Sequence, residues 1–122
     1  MTKKILVIED EKDIASLVQD LLAKSGYEVV TANDGQEGLK RLETFKPDLI
    51  LLDVMMPKMS GYDVIRTLKQ DEALRDIPVI VLTAKVLSYE AFKKEGVTDY
   101  LVKPFLPAEL TDKIKDFFTR KS

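Results

Sequence analysis

Asp53 closes the run Leu49-Ile50-Leu51-Leu52-Asp53, and Val54-Met55-Met56-Pro57 follows at once. A carboxylate directly behind four large aliphatic residues needs a reason. Apolar runs of four to eight residues read as strands covered on both faces. Open α/β sheets bind their ligands beyond the carboxyl ends of such strands. A second acidic cluster, Glu9-Asp10-Glu11, follows another apolar run, Ile5-Leu6-Val7-Ile8. If the two strands are neighbours, three or four carboxylates converge on one spot. They repel each other strongly unless a cation sits among them.

The elements that must position these groups can be read along the chain. Strands are expected over Lys4–Ile8, Tyr27–Thr31, Leu49–Asp53, Pro78–Leu82 and Asp99–Val102. Ile14, Leu17, Val18, Leu21 and Leu22 follow the i, i+3, i+4, i+7, i+8 spacing of one apolar helical stripe, and Gly26 is its stop signal. Leu39, Leu42 and Phe45 mark a second helix that ends at Lys46-Pro47. Ser60 with Asp63 resembles a capping box opening a third, with Val64, Ile65 and Leu68 inward. A short helix is expected over Ser88–Glu95. Leu110, Ile114, Phe117 and Phe118 stripe the last one. Strand and helix alternate five times, which implies a parallel sheet covered on both faces by right-handed crossovers.

Composition narrows the function. The 122 residues favour a single domain over 1–122, with no repeat or linker. The net charge of −2, from 19 basic and 21 acidic residues, supplies no general drive toward nucleic acid or an anionic membrane. There is no cysteine, hence no disulfide or thiolate metal site, which fits a cytoplasmic location. Histidine is absent too, which excludes histidine-based catalysis by this chain. No apolar run approaches the ~20 residues of a membrane span, and no signal peptide is visible.

Read forward, the carboxyl ends of the strands carry Glu9 and Asp10, then Asp53, then Thr83, then Lys103-Pro104. This order resembles the receiver domain of bacterial response regulators. The segments that carry the likeness are Ile5 to Glu11, Leu52 to Pro57 with Gly61, Val81-Leu82-Thr83-Ala84, and Tyr100-Leu101-Val102-Lys103-Pro104-Phe105. Each is weak alone; one at every strand end, in order, is specific, and together they cover nearly the whole chain. The resemblance implies a flavodoxin-like (βα)5 fold with strand order 2-1-3-4-5, the order of a chemotaxis regulator of this family.

The resemblance also implies roles. Asp53 is the expected phosphoacceptor, since carboxylates can act as nucleophiles and form acyl phosphates. Asp10 and Asp53, Glu9 through water, and the backbone carbonyl of Met55 are the expected holders of Mg²⁺ (or Mn²⁺). Lys103, before a proline in a cis bond, is expected to reach the phosphoryl oxygens as a point charge. Thr83 is expected to donate its hydroxyl to the phosphoryl group, and Tyr100 to move inward as Thr83 is drawn in. The implied donor is a phosphohistidine on a sensor histidine kinase or a histidine phosphotransfer protein. The implied output is contact with a downstream protein, neither DNA nor membrane, through the face around Ser88–Glu95, the fifth strand and the last helix.

The chain departs from the family pattern in places. Thr83 to Lys103 spans 20 residues, about two fewer than the family pattern, and the shortening falls on the expected output face. Leu106-Pro107 stands where the family often has a polar cap. Met55 lies two residues beyond Asp53, and a methionine cannot orient an attacking water, which predicts a long-lived phosphoryl group. Three other readings share these residues. A haloacid-dehalogenase-like phosphatase would need a second Asp where Met55 stands. A flavodoxin-like cofactor binder would need a Gly- or Ser/Thr-rich loop where Glu9-Asp10-Glu11 stands. An interaction module that is never phosphorylated would need no metal.

Overall fold

A computed structural model describes residues 2–54, 56, 59–84, 93, 94 and 96–121. Five strands, β1 (Lys4–Ile8), β2 (Glu28–Ala32), β3 (Leu49–Asp53), β4 (Val79–Thr83) and β5 (Asp99–Val102), form one parallel sheet in the order β2-β1-β3-β4-β5. Among the described residues four helices pack on it: α1 (Lys12–Lys24), α2 (Gly35–Arg41), α3 (Gly61–Gln70) and α4 (Pro107–Lys121). This is the flavodoxin-like topology expected from the sequence. The helix expected over Ser88–Glu95 lies mostly outside the described residues, and so does the shortened stretch after Thr83.

The period of two along the strands divides the core. Leu6, Ile8, Ile50, Leu52, Val79 and Val81 pack with Leu42, Val64, Ile65 and Leu68, under α2 and α3. Ile5, Val7, Leu49, Leu51, Ile80 and Leu82 pack with Val18, Leu22, Leu110, Ile114 and Phe117, under α1 and α4. The three inner strands β1, β3 and β4 are therefore buried almost throughout, while β2 and β5, at the edges, are half-buried. That is why the inner strands read as continuous apolar runs.

Two strands begin one residue later than expected. Tyr27 donates its N–H to the Leu22 carbonyl at 3.1 Å, so it completes the turn leaving α1. Gly26 supplies that turn's positive φ of 97°. Pro78 has no N–H for the ladder, although its carbonyl accepts from the Ile50 N–H at 3.0 Å. The capping box at α3 is present: Ser60 Oγ accepts from the Asp63 N–H at 3.3 Å, and Asp63 Oδ2 accepts from the Ser60 N–H at 3.3 Å. Leu17 departs from its stripe, being 46% exposed while Val18 and Leu22 are fully buried. No helix among the described residues is long and apolar enough to cross a membrane.

Candidate functional site

The sheet register assembles the site. Ile8 pairs with Leu52, so the next rung sets Glu9 beside Asp53. Asp53 pairs with Leu82, and Thr83 with Val102, so the ends of β4 and β5 follow in sequence. Two backbone bonds tie this edge together. The Val54 N–H donates to the Leu82 carbonyl at 3.2 Å, and the Lys103 N–H donates to the Thr83 carbonyl at 2.8 Å. The start of α3 is held against the end of β3, with the Gly61 N–H donating to the Val54 carbonyl at 3.3 Å.

Three carboxylates meet at this edge. Glu9, Asp10 and Asp53 each present an oxygen within 4.8 Å of the others. Glu9, Asp53 and Thr83 are buried. Lys103 enters from β5 and places Nζ at 2.6 Å from Glu9 Oε1 and 3.5 Å from Asp53 Oδ1. The other Glu9 oxygen accepts from the Glu11 N–H at 3.2 Å. Asp10 Oδ1 is buried with no hydrogen-bond partner among the described residues. A buried, unpartnered carboxylate oxygen is costly in a folded protein.

The electrostatics follow from this crowding. Burial, then a hydrogen bond to Asp10 that favours the protonated form, and the charge of Glu9, push the Asp53 carboxyl up to about 7, and the opposing pull of Lys103 does not offset them. Burial works against the Lys103 ammonium as well. The hydrogen bond it donates to Glu9 and the charge of Asp53 outweigh it, and the lysine is held above its ordinary value.

The donor set fits a small divalent cation. Mg²⁺ takes oxygen ligands at about 2.0–2.1 Å, so opposite ligands lie ~4.2 Å apart. The spread of the three carboxylates is close to that span. Asp10 Oδ1 is already stripped of other partners, and the local charge is net negative even with Lys103 present. Asp10, Asp53 and Glu9 are the residues that could hold it.

The expected site residues are thus found as follows. Glu9, Asp10, Asp53, Thr83 and Lys103 lie along one edge, and the Lys103-Pro104 bond is cis. Met55, expected to offer its carbonyl, lies outside the described residues. Tyr100 sits apart on β5, half-buried against the α2/α3 side of the core. Lys113 of α4 stands 5.7 Å from its ring centroid and pairs with Asp99 Oδ2 at 3.4 Å. Neither the Lys113 contacts nor the preference of Lys103 for Glu9 is visible in the sequence, since both depend on where long side chains come to rest.

Comparison with known proteins gives a consistent picture. The family model described as the response regulator receiver domain matches residues 5–115. The alkaline phosphatase synthesis transcriptional regulatory protein PhoP of Bacillus subtilis is 45% identical over 122 residues, covering 98% of this chain and 50% of that protein. Hybrid signal transduction histidine kinase D of Dictyostelium discoideum is 40% identical over 119 residues, which are 96% of this chain but 8% of the kinase. The chain thus spans half the length of the first of these relatives and a small part of the second. Chemotaxis response regulator CheY4 of Vibrio cholerae superposes with a TM-score of 0.90 at 31% identity, over 95% of this chain and 98% of that one. The receiver domain of sensor histidine kinase PA1611 of Pseudomonas aeruginosa was solved with a magnesium ion coordinated in its active-site cleft. It superposes with a TM-score of 0.84 at 31% identity, over 95% of this chain and 97% of that one.

Proposed function

The chain belongs to the receiver-domain family of response regulators, and on that premise we propose that it accepts a phosphoryl group onto Asp53 from a phosphohistidine of a sensor kinase or phosphotransfer protein, acting as a cytoplasmic signalling domain. The observation that carries this reading is the meeting of a buried Asp53 with Asp10, Glu9 and Lys103 at one sheet edge. An Asp53 oxygen attacks phosphorus in line, the P–N bond to the donor imidazole breaks, and the imidazole leaves with its electron pair. There is little covalent work for the protein beyond this, so positioning and charge neutralisation supply most of the catalysis.

The residues divide that work. Asp53 must be ionised to attack, yet its surroundings hold its carboxyl up to about 7. Asp10, Asp53 and Glu9 would hold a Mg²⁺, which when bound would supply the positive charge that favours the ionised form and neutralises the transferring group. Lys103 turns its ammonium from the carboxylates to a phosphoryl oxygen. Thr83, at the end of β4, donates its hydroxyl to another. The product carries more charge than the carboxylate it replaces. Thr83, and Tyr100 on the adjoining strand, then favour one of two arrangements, and the population shifts. The output is a protein contact on the face that includes β5 and α4. The Bacillus relative is a transcriptional regulatory protein of twice the length.

The test is intact mass after incubation with acetyl phosphate and Mg²⁺, for wild type and Asp53→Asn. A Mg²⁺-dependent gain of one phosphoryl group in wild type alone is the expected result. No gain with acetyl phosphate, and none with a phosphorylated histidine donor, would leave an interaction module that is never phosphorylated. Sustained release of phosphate from a generic monoester, dependent on Asp53, would instead favour a phosphatase.

A further inference from the structure

Three of the chain's four methionines, Met55, Met56 and Met59, fall between Asp53 and Ser60. A thioether is soft and open to oxidation, and the chain holds no cysteine that would consume an oxidant first. Met59 has a defined seat. It is half-buried and packs against the core under α2 and α3, so a small oxidant can reach it. A Cβ built on Gly35, the first residue of α2, would lie 2.9 Å from Met59 Sδ and 2.6 Å from Val64 Cγ2. The sulfur therefore fills the space that a side chain at position 35 would need, in the seam between α2 and α3. That space has no room for another atom. The chain itself links the seam to Asp53. Ser60 follows Met59 and caps α3, and the next N–H, that of Gly61, donates to the Val54 carbonyl beside Asp53.

We propose that Met59 is a modification site: a hydroperoxide oxidises its thioether to the sulfoxide, which opens the seam between α2 and α3 and slows phosphoryl uptake at Asp53. The second half of this inference rests on the reading of Asp53 as the phosphoacceptor. With hydrogen peroxide the step balances as follows. A lone pair on Sδ attacks one peroxide oxygen, the S–O bond forms and the O–O bond breaks. The transferred oxygen passes its proton to the departing hydroxide, which leaves as water. Sulfur gives up two electrons and the peroxide takes them. The new oxygen is polar and cannot be buried against Gly35 and Val64 without a hydrogen-bond donor, so the side chain withdraws toward water. The start of α3 then loses its support on the α2 side, and the contact of Gly61 with Val54 loosens. Methionine sulfoxide is reducible enzymatically, so the change is reversible.

The test treats wild type, Met59→Leu and Met56→Leu with hydrogen peroxide and maps the added oxygen by peptide mass spectrometry. After the peroxide is removed, the urea midpoint and the rate of phosphoryl uptake from acetyl phosphate and Mg²⁺ are measured. Leucine keeps the apolar volume and cannot be oxidised. Met59 is expected to gain one oxygen. Treated wild type and Met56→Leu should then take up phosphoryl groups at least about threefold more slowly than before treatment, with a lower urea midpoint. Met59→Leu should keep both values, and methionine sulfoxide reductase should restore wild type. A Met59 left intact while free methionine in the same tube is oxidised would overturn the proposal. So would equal losses in Met59→Leu, or protection by Met56→Leu instead. Should Met59→Leu not fold, untreated Met59→Gln takes its place. That polar side chain of similar length should reproduce both losses, and wild-type values would overturn the proposal. An untreated wild type that accepts no phosphoryl group would sink the phosphoacceptor reading alone; the urea midpoints then decide the Met59 assignment by the same comparison.

Discussion

Thr83 and Lys103 are joined through the backbone: the Lys103 N–H donates to the Thr83 carbonyl at 2.8 Å, one rung beyond the pairing of Thr83 with Val102. The hydroxyl and the ammonium that would meet a phosphoryl group therefore come from one ladder end and share its geometry. They differ in what they offer. A full positive charge at a site of developing negative charge is worth more than a neutral hydroxyl, and loss of one such donor costs ~10²–10³ in rate where it acts in the transition state. Lys103→Met is expected to slow phosphoryl uptake from acetyl phosphate by at least about tenfold, and Thr83→Ala by less. Thr83→Ala should instead blunt the spectral change around Tyr100 on phosphorylation. Time-resolved intact mass and NMR spectra of the two variants would check both.

A second expectation concerns pH. The folded Asp53 carboxyl is raised from 3.8 to about 7, chiefly by burial. Between those values the folded state keeps a proton that the unfolded chain has released, so stability falls as pH rises through the window. Below it both states are protonated and the site costs nothing; above it the penalty is constant. Metal-free Asp53→Asn should therefore match wild type near about pH 4 and exceed it by about 2–4 kcal/mol near about pH 8. Added Mg²⁺ should narrow the gap, because it stabilises the ionised wild type alone. Urea denaturation with chelator at the two pH values is the measurement. A gain for the variant that does not change with pH would contradict the argument.

Capping offers a simpler check. Ser60 and Asp63 satisfy each other's backbone N–H groups at the start of α3. Ser60→Ala leaves one of them without its partner and is expected to cost about 1 kcal/mol in urea denaturation. The site is not touched, so phosphoryl uptake should be unaffected.

Much of this architecture was legible before any coordinates. The inner strands carry runs of four consecutive apolar residues because both faces are covered, and so β1, β3 and β4 declare themselves. The polar residues at the carboxyl ends of β1, β3, β4 and β5, Glu9, Asp53, Thr83 and Lys103, fall on one edge because parallel strands all point the same way. The boundaries of β2 and β4 were less legible. Tyr27 and Pro78 are the right residue types for strands, but one is claimed by the end of α1 and the other lacks an N–H. The partner of Lys103 was not legible at all. Register can say that Glu9 and Asp53 are neighbours; it cannot say which of them a four-carbon stem prefers.

Leu17 is the clearest failure of pattern and yields the third stability expectation. It fits the apolar stripe of α1 by spacing, yet it is 46% exposed, whereas Leu22 on the same stripe is fully buried against β1 and β3 side chains. The stripe is wider than the surface available to receive it. Leu22→Ala should cost about 2–5 kcal/mol, the transfer loss plus the cavity left behind. Leu17→Ala should cost less than about 1 kcal/mol, since little area leaves water there. Matched urea titrations would decide, and similar losses for the two would mean that Leu17 is covered in solution.

Gly61 brings stability and the site together. It is the first residue of α3, and a Cβ built on it would lie 2.9 Å from the Val54 Cα and 3.3 Å from the Val54 Cβ. The obstacle is backbone, so no side-chain rotation relieves it. In an open helix Gly→Ala would gain up to ~1 kcal/mol from propensity. Here overpacking against an immovable neighbour costs ~1–3 kcal/mol, and it outweighs that gain. Val54 can only yield by shifting the turn that begins at Asp53. Gly61→Ala is therefore expected to lower stability by about 1–2 kcal/mol and also to slow phosphoryl uptake, although the residue touches no carboxylate. Urea denaturation and time-resolved intact mass on the same preparation test the two effects together. Lost stability with an unchanged uptake rate would mean that the turn gives way on the α3 side and leaves Asp53 in place.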